Sequence, residues 1–165
     1  MTATLDKQQV YSHILQALEA LVDNARQATL RAYETATHEE NIAENKYDTL
    51  GLEAAYLTQG QARRLAQCEA DLVAFRNLPW REFAPDETIG MGALVALEDD
   101  AGVVQWFLVG PAAGGVKIQL AGQSVVVITA EAPLGQTLLK NCHAGDEITL
   151  ALAGKQKRYD VVSVA

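Results

Sequence analysis

The first half of the chain has the hydrophobic spacing of a helix that packs along one seam. Apolar or small residues recur at steps of four and three, which is the repeat of a coiled-coil seam. These positions are Ile14, Leu18, Leu21, Ala25, Ala28 and Ala32. The seam begins with bulky residues and ends with alanines, which let two helices approach closely. We therefore predict a helix from Asp6 to about Ala36, which would be about 45 Å long at 1.5 Å per residue.

A second helical pattern follows, and its seam is less regular. Its apolar positions are Tyr47, Leu50, Ala54, Leu57, Leu65, Cys68, Leu72 and Phe75, with Gln61 and Arg64 between them. Gly51 and Gly60 lie inside this pattern, and a glycine costs about 1 kcal/mol relative to alanine in a helix interior. Two such helices with a short connection predict an antiparallel helical hairpin.

The turn of the hairpin is predicted between about Thr37 and Glu44, because the first seam ends before it and the second begins after it. The surrounding stretch, HEENIAENKYD, contains neither glycine nor proline. Asn41 or Asn45 would supply left-handed backbone geometry there, which asparagine tolerates. The same stretch is rich in acids, and they are Glu39, Glu40, Glu44 and Asp48.

The second half changes to the pattern of β-strands. Alternating or β-branched runs are typical of strands, and they cover Gly92–Glu98, Val103–Val109, Gly122–Thr129, Asp146–Leu152 and Lys157–Val164. The runs EDDAG and AGK predict hairpin turns, and Gly135 to Asn141 predicts a short helix. The expected fold class is α+β, with a long helical hairpin followed by a small antiparallel β domain that carries one helix.

A shift in composition predicts the domain boundary. No proline precedes Pro79, and glycine occurs before it only at Gly51 and Gly60. All four prolines and the other ten of the twelve glycines lie from Pro79 onward. Turn-forming residues concentrate in regions of many short connections. We therefore predict two domains, residues 1–78 and residues 79–165.

Charge and composition exclude some classes of function. The formal net charge is -8, and basic residues do not cluster beyond Arg63 and Arg64, so autonomous DNA binding is not expected. No apolar run reaches the ~20 residues that span a bilayer, and the start lacks the pattern of a signal peptide. Cys68 and Cys142 form no CxxC pair, which favours free thiols in a reducing cytoplasm over a disulfide.

Two stretches of the second half carry an ordered set of specific residues. GALVALEDDAGVVQWFLVGPAAGG ends in a corner at Val109, Gly110 and Pro111, and APLGQTLLKNCHAGDEI follows. They resemble the C-terminal domain of the Gre family of bacterial transcription elongation factors, in which the second stretch reads SPLGxALLGKxxGDEV. Ala132 stands where that family usually has serine. The matching positions are Pro133, Leu134, Gly135, Leu138, Leu139, Gly145 and Asp146. The end of the chain, RYDVVSV, resembles the closing strand of the family.

The tip of the predicted hairpin resembles the same family. Its tip reads GDLxENxEY, and ENIAENKYD supplies Glu44 and Asn45 at the matching EN. Asn41 occupies the position of the first family acid, and Glu40 is adjacent to it. One of the two tip acids is therefore missing or displaced by one residue. Acids at a turn are also typical of a solvated loop or of the first turn of a helix, and a loop histidine such as His38 is typically solvated.

The resemblance implies a fold, a partner and a mode of action. It implies an FKBP-like C-terminal domain that docks on RNA polymerase through Pro133, Leu134 and Gly135, and a coiled coil that enters the secondary channel. The tip residues Glu44, Glu40 and Asn41 would then help to hold Mg²⁺ in the polymerase active centre and promote cleavage of backtracked RNA. Mg²⁺ prefers oxygen ligands such as carboxylates. The protein would be an accessory factor with no cofactor of its own and no enzymatic activity.

Two alternatives stay open at the level of sequence. A channel-binding regulator of the same shape would occupy the polymerase without promoting cleavage, and Asn41 is the residue that favours it. A coiled-coil adaptor with an FKBP-like β domain would not contact the polymerase at all. Trp106, Phe107 and Tyr159 could line a prolyl isomerase pocket in such a fold, but core packing is the favoured interpretation of these aromatic residues.

Overall fold

The computed structural model of the protein describes residues 4–37 and 50–165. In chain order the described elements are α1 (Lys7–Thr37), α2 (Leu50–Arg76), β1 (Leu94–Asp99), β2 (Val104–Val109), β3 (Lys117–Leu120), β4 (Gln123–Ile128), α3 (Pro133–Leu138), β5 (Glu147–Leu152) and β6 (Lys155–Val164). The predicted α+β fold class is confirmed. The first predicted helix agrees with α1 to within one residue at each end.

The helices α1 and α2 run antiparallel. Near the start of α1, the Tyr11 hydroxyl donates a hydrogen bond to the main-chain oxygen of Phe75 in the last turn of α2. Further along α1, Arg26 Nη2 lies 3.6 Å from Glu69 Oε1. The residue number therefore rises along one helix while it falls along the other, as the predicted hairpin requires.

The predicted seam of α1 is present, and the seam residues of α2 are less buried than those of α1. The seam residues Ile14, Leu18, Ala25 and Ala32 are buried. Val22 is also buried, and the predicted Leu21 is only half-buried. On α2 the buried seam residues are Leu72 and Phe75, while Leu65 and Cys68 are half-buried and Leu57 is exposed. The helix continues through Gly60 without a break.

Six strands form one sheet in the order β3-β4-β2-β1-β6-β5. Four of the pairings are antiparallel, and the pairing of β2 with β4 is parallel. The sheet is thus mostly antiparallel, as predicted, with one parallel exception. The sequence pattern missed β3, because its four residues follow a glycine-rich loop and are too few to show a clear alternation.

The short helix lies earlier in the chain than predicted. It spans Pro133–Leu138, whereas Gly135 to Asn141 was expected. Proline suits the first position of a helix because its missing N–H would have no helical partner there. The helix has ended before Asn141, whose φ of 58° is left-handed geometry that a right-handed helix does not include.

Each face of the sheet buries its own set of apolar side chains. On the α3 face, Phe83, Ile89 and Leu138 pack with strand residues such as Val95 and Val161 in one core cluster. The opposite face buries strand residues of the other parity, and they are Leu94, Ala96, Trp106, Leu108, Ile118, Val125 and Val127. This period of two places successive side chains on opposite faces.

The chain forms two compact units. The first, which we call the sheet unit, contains residues 1–17 and 74–165, and the second, which we call the helical unit, contains residues 18–73. The first turns of α1 and the end of α2 therefore belong with the sheet. The division into domains 1–78 and 79–165 stays a prediction. Within the described ranges, no helix is long and apolar enough to span a membrane.

Candidate functional site

The predicted docking residues lie at the start of α3, where they differ in exposure. Pro133 is exposed, Leu134 is half-buried against the core cluster, and Gly135 is buried. Of the three residues, only Pro133 is exposed. Pro133 is therefore accessible at the surface, whereas Leu134 and Gly135 belong to the packing beneath it.

Hydrogen bonds hold this segment in one conformation. The Ala132 N–H donates to Thr129 O at 3.2 Å, and the Gln136 N–H donates to Ala132 O at 2.9 Å. The Thr137 hydroxyl donates to Pro133 O at 3.0 Å. Ala132 has the extended backbone of an N-cap residue but no side chain that can accept a hydrogen bond, so a helix N–H that serine would satisfy lacks this partner.

Gly135 is required by the close contact between α3 and the end of β4. A Cβ atom at Gly135 would lie 1.9 Å from Thr129 O and 2.8 Å from Thr129 C. Both are main-chain atoms, so no rotation of a side chain could relieve the overlap. The match at this position has a steric cause that is independent of any partner.

The corner at Gly110 is packed in a similar way. The Gly110 N–H donates to Ile128 O at 2.8 Å. A Cβ atom at Gly110 would lie 2.6 Å from Phe75 Cζ and 2.9 Å from Val127 Cγ1. The end of α2 thus packs directly on the ends of β2 and β4, and this leaves Pro111 exposed beside them.

The start of α1 is fixed at the same end of the sheet by a cluster of charged and aromatic groups. Lys7 Nζ donates to Arg81 O at 2.6 Å and to Ala165 O at 2.9 Å. The Arg81 guanidinium lies 3.7 Å from the centre of the Phe83 ring, and Arg81 Nη1 lies 2.6 Å from Glu87 Oε2. Burial and the nearby Arg81 lower the pKa of Lys7 to about 8.

The turn between α3 and β5 contains Cys142, His143 and Asp146. The His143 N–H donates to Asp146 Oδ2 at 2.9 Å, and His143 Nδ1 lies 3.4 Å from Asp146 Oδ1. Burial and the charge of Asp146 raise the pKa of the Cys142 thiol. The Cys142 thiol also donates to Thr137 O at 3.2 Å. These contacts stabilise the turn, and the hydrogen bond from His143 gives Asp146 a place in its geometry.

The three aromatic residues considered for a pocket do not share one face of the sheet. Trp106 is buried on the face opposite α3, whereas Phe107 and Tyr159 are half-buried and pack against the core cluster on the α3 face. A shallow groove of about 380 Å³ is lined by Trp106 and Phe107 together with Gln105 and Lys117, and Tyr159 does not line it. The three rings therefore do not converge on one site.

The predicted tip residues Glu44, Glu40 and Asn41 lie outside the described residues, together with Glu39, Asn45 and Asp48. Their proposed role at a Mg²⁺ ion stays a prediction. Among residues 4–37 and 50–165, no group of three or more His, Cys, Asp and Glu side chains could hold a metal ion.

Sequence reasoning missed two exposed apolar side chains at the end of the sheet. Trp80 is 47% exposed and Met91 is 40% exposed. Both lie in the segment between α2 and β1, which has no helical or strand periodicity. The signal that could have identified Trp80 is its position in a linker, because no hydrophobic repeat there predicts that its side chain is buried in a core.

Comparison with known proteins gives similar folds at low sequence identity. No protein-family model matches the chain, and no curated protein matches it. The chain is similar to the crystal structure of GreA factor homolog 1 of Thermus thermophilus, with 21% identity, a TM-score of 0.38 and coverage of 92% of this chain and 94% of the other. For the same factor from Thermus aquaticus the identity is 24%, the TM-score 0.39 and the coverage 90% and 92%.

A further solved structure is described as the transcription factor Gfh1, the short name of GreA factor homolog 1. Its identity is 21% and its TM-score 0.40, with coverage of 91% of this chain and 92% of the other. These likenesses concern the fold alone.

Proposed function

We propose that this chain is a Gre-like transcription factor that binds bacterial RNA polymerase and acts in the bacterial cytoplasm. The observation that best supports this proposal is the ordered match to the Gre family from Pro133 to Asp146. No single structural requirement explains all of the matching residues. Gly135 is explained by sterics and Asp146 by its turn. Pro133 is exposed, and a protein partner would give it a role beyond the start of a helix.

The rigidity of the Pro133 segment also supports docking. Its hydrogen bonds and the close packing of Gly135 on Thr129 fix the surface before any partner arrives. A fixed surface loses little conformational entropy on binding, so more of the contact energy appears as affinity. Docking on this segment would orient the factor on the polymerase.

The finer proposal concerns RNA cleavage. The tip residues Glu44 and Glu40 would be delivered to the active centre of the polymerase, where the polymerase carries out the hydrolysis. A bound Mg²⁺ would supply the activated water and stabilise the developing charge. The factor itself would contribute only carboxylate oxygens, and Glu44 is the residue on which the cleavage activity would depend.

A second function is favoured by Asn41. An amide at this position cannot supply the negative charge that attracts a divalent cation. A factor with this tip could occupy the secondary channel without promoting cleavage and so act as a regulator or competitor. The two functions share the docking surface and differ only at the tip.

An RNA cleavage assay separates these functions. A purified, backtracked bacterial elongation complex would be incubated with the wild-type chain, with Glu44→Ala, with Asn41→Asp and with Asp23→Ala, which changes an exposed acid of α1. The cleavage function predicts shortened RNA with the wild type and Asp23→Ala but not with Glu44→Ala. The regulator function predicts no shortening with the wild type, displacement of a known cleavage factor, and gain of cleavage in Asn41→Asp.

The docking surface has its own test. Pro133→Glu should weaken binding to the polymerase, because it places a charge in an apolar contact while it keeps a residue suited to the first turn of a helix. Leu134→Asp is a poorer choice, because Leu134 packs against the core. Pro85→Glu changes another exposed proline and is the matched control. If the two variants bind the polymerase with equal affinity, the docking surface does not include Pro133.

A further inference from the structure

The loop that follows β2 is bound to the end of β4. This loop consists of residues 110–116, and we call it the corner loop. The Gly110 N–H donates to Ile128 O, and the Gly115 N–H donates to Val127 O, each at 2.8 Å. Hydrogen bonds near both ends of the corner loop therefore hold it to the last two residues of β4.

Thr129, the residue after β4, lies between the corner loop and the Pro133 segment. Its side chain contacts the loop, because a Cβ atom at Gly114 would lie 3.3 Å from Thr129 Cγ2 and 3.5 Å from Thr129 Oγ1. Its main chain contacts the Pro133 segment. Thr129 O accepts a hydrogen bond from the Ala132 N–H at 3.2 Å, and a Cβ atom at Gly135 would lie 1.9 Å from the same oxygen.

A displacement of Thr129 has no free space to enter on the side of α3. Its oxygen already lies against the main chain of Gly135, where even a methyl group would not fit. Closely packed groups transmit strain because few voids separate them. A shift of Thr129 that begins at the corner loop would therefore move Ala132 and Gly135, and Pro133 lies between these two in the chain.

This contact joins the two stretches that resemble the Gre family. The first stretch contains the corner loop, GPAAGGV, and the second begins at Ala132. The corner loop has no charged side chain and no side chain that forms hydrogen bonds. What it can contribute is therefore its shape, and Thr129 is the residue through which that shape reaches Pro133.

We infer that Thr129 is a positioning residue for docking, which passes the position of the corner loop to Pro133 and fixes this proline for the polymerase. The inference rests on the proposed function, because Pro133 is the residue that would touch the polymerase. A fixed surface loses less conformational entropy on binding than a mobile one. A disturbed contact at Thr129 should therefore weaken binding although Pro133 itself is unchanged.

Hydrogen exchange in the free chain tests the coupling without the polymerase. Gly114→Ala would place a methyl group 3.3 Å from Thr129 Cγ2, which is closer than an ordinary van der Waals contact. The amide of Ala132 should then exchange about tenfold faster, because its acceptor is Thr129 O. The control is Gly90→Ala, whose methyl group would lie 3.4 Å from Phe83 Cε2. It should leave the exchange of Ala132 unchanged.

Binding to bacterial core RNA polymerase tests the consequence for docking. Gly114→Ala should weaken the Kd about five-fold. Thr129→Ser removes Cγ2 and makes room for the new methyl group, so the double variant should bind more tightly than Gly114→Ala alone. The Kd would be measured where denaturant titration shows every variant to be fully folded, because a loss of stability alone then leaves it unchanged.

The outcomes separate this inference from the proposed function. If Pro133→Glu weakens binding but Gly114→Ala changes neither the exchange of Ala132 nor the Kd, the positioning role is wrong and the proposed function stands. Additive effects of Gly114→Ala and Thr129→Ser would also contradict the positioning role. If the wild type does not bind the polymerase, both are wrong. Faster exchange, weaker binding and recovery in the double variant support both.

Discussion

The sheet unit and the helical unit are built in different ways. In the sheet unit, the strand residues Leu94, Val95 and Leu97 have no exposed surface at all. In the helical unit, the buried apolar residues form a narrow seam that includes Ala25 and Ala32. A dense core penalises any change of volume, whereas a seam of small residues has little volume to disturb. The sheet unit should therefore be sensitive to changes of side-chain volume, and the helical unit should tolerate more substitution.

The space around the glycines shows this difference in packing. Gly135 and Gly110, in the sheet unit, lie where a Cβ atom would overlap neighbouring atoms. Gly60, in the helical unit, lies where a Cβ atom would meet nothing within 4 Å. The same change, glycine to alanine, should therefore have opposite effects on stability in the two units.

The largest effect is expected for Gly135→Ala. The new Cβ atom would overlap main-chain atoms of Thr129, so α3 would have to move away from β4. We expect a loss of about 4 kcal/mol in the free energy of unfolding, measured by denaturant titration of tryptophan fluorescence. Gln136→Ala, at an exposed neighbouring position, is the control. A loss below about 1 kcal/mol would contradict the tight packing of this segment.

Gly110→Ala should have the next largest effect. Its Cβ atom would overlap the Phe75 ring and Val127, which are both almost fully buried. Overpacking of this kind costs about 2 kcal/mol. Phe75→Leu would provide room, so the double variant should be more stable than the sum of the two single effects. Simple additivity in this double-mutant cycle would show that the overlap with Phe75 is not the cause.

Ala132→Ser should increase the stability of the sheet unit. Ala132 already has the extended backbone of an N-cap, and a serine there would accept a hydrogen bond from a helix N–H. We expect a gain of about 1 kcal/mol in thermal or denaturant unfolding. Ala130→Ser changes an exposed residue outside the cap and should have no such effect. An equal response of both variants would show that Ala132 does not act as a cap.

Gly60→Ala should increase the stability of the helical unit. Alanine lowers the conformational entropy of the unfolded chain and has room in the helix, so we expect a gain of about 1 kcal/mol. Far-ultraviolet circular dichroism during denaturation would detect it as later loss of helix. If Gly60→Ala instead destabilised the protein, Gly60 would be packed as closely as Gly135, and the difference between the two units described above would be wrong.

The smallest effect concerns the pH dependence of the sheet unit. The pKa of Lys7 is lowered from 10.5 to about 8, first by burial and then by Arg81. Between these values the unfolded chain binds more protons than the folded chain, so the contribution of Lys7 to stability rises with pH. That contribution is complete above 10.5 and is lost as the pH falls to about 8.

Lys7→Met should remove this rise. Denaturant unfolding of the wild type and the variant across this pH range would give two stability curves whose difference grows with pH. Two parallel curves would show that the ammonium group of Lys7 is not disfavoured at the start of α1.

Several parts of the fold could be predicted from the sequence because a repeat specified them. The steps of four and three placed α1 to within one residue, and alternation found five of the six strands. β3 is too short to show a period. The parallel pairing of β2 with β4 depends on which strands meet in space, and a local pattern contains no information about that.

The candidate site was predictable only in part. The sequence drew attention to Pro133, Leu134 and Gly135, but it could not show that their exposures differ, because burial depends on the contact with Thr129 and the core. It gave no role to Trp80 and Met91. Both lie in the linker after α2, which has no repeat, so their exposure is set by the tertiary structure alone.

The most direct test of the account is the equilibrium binding of the fluorescently labelled full chain to bacterial core RNA polymerase. We predict saturable binding that a known cleavage factor of the secondary channel displaces. Pro133→Glu should weaken it, and Pro85→Glu should not. Absence of binding at micromolar concentrations, or binding that the cleavage factor does not displace, would contradict a Gre-like function and favour the adaptor.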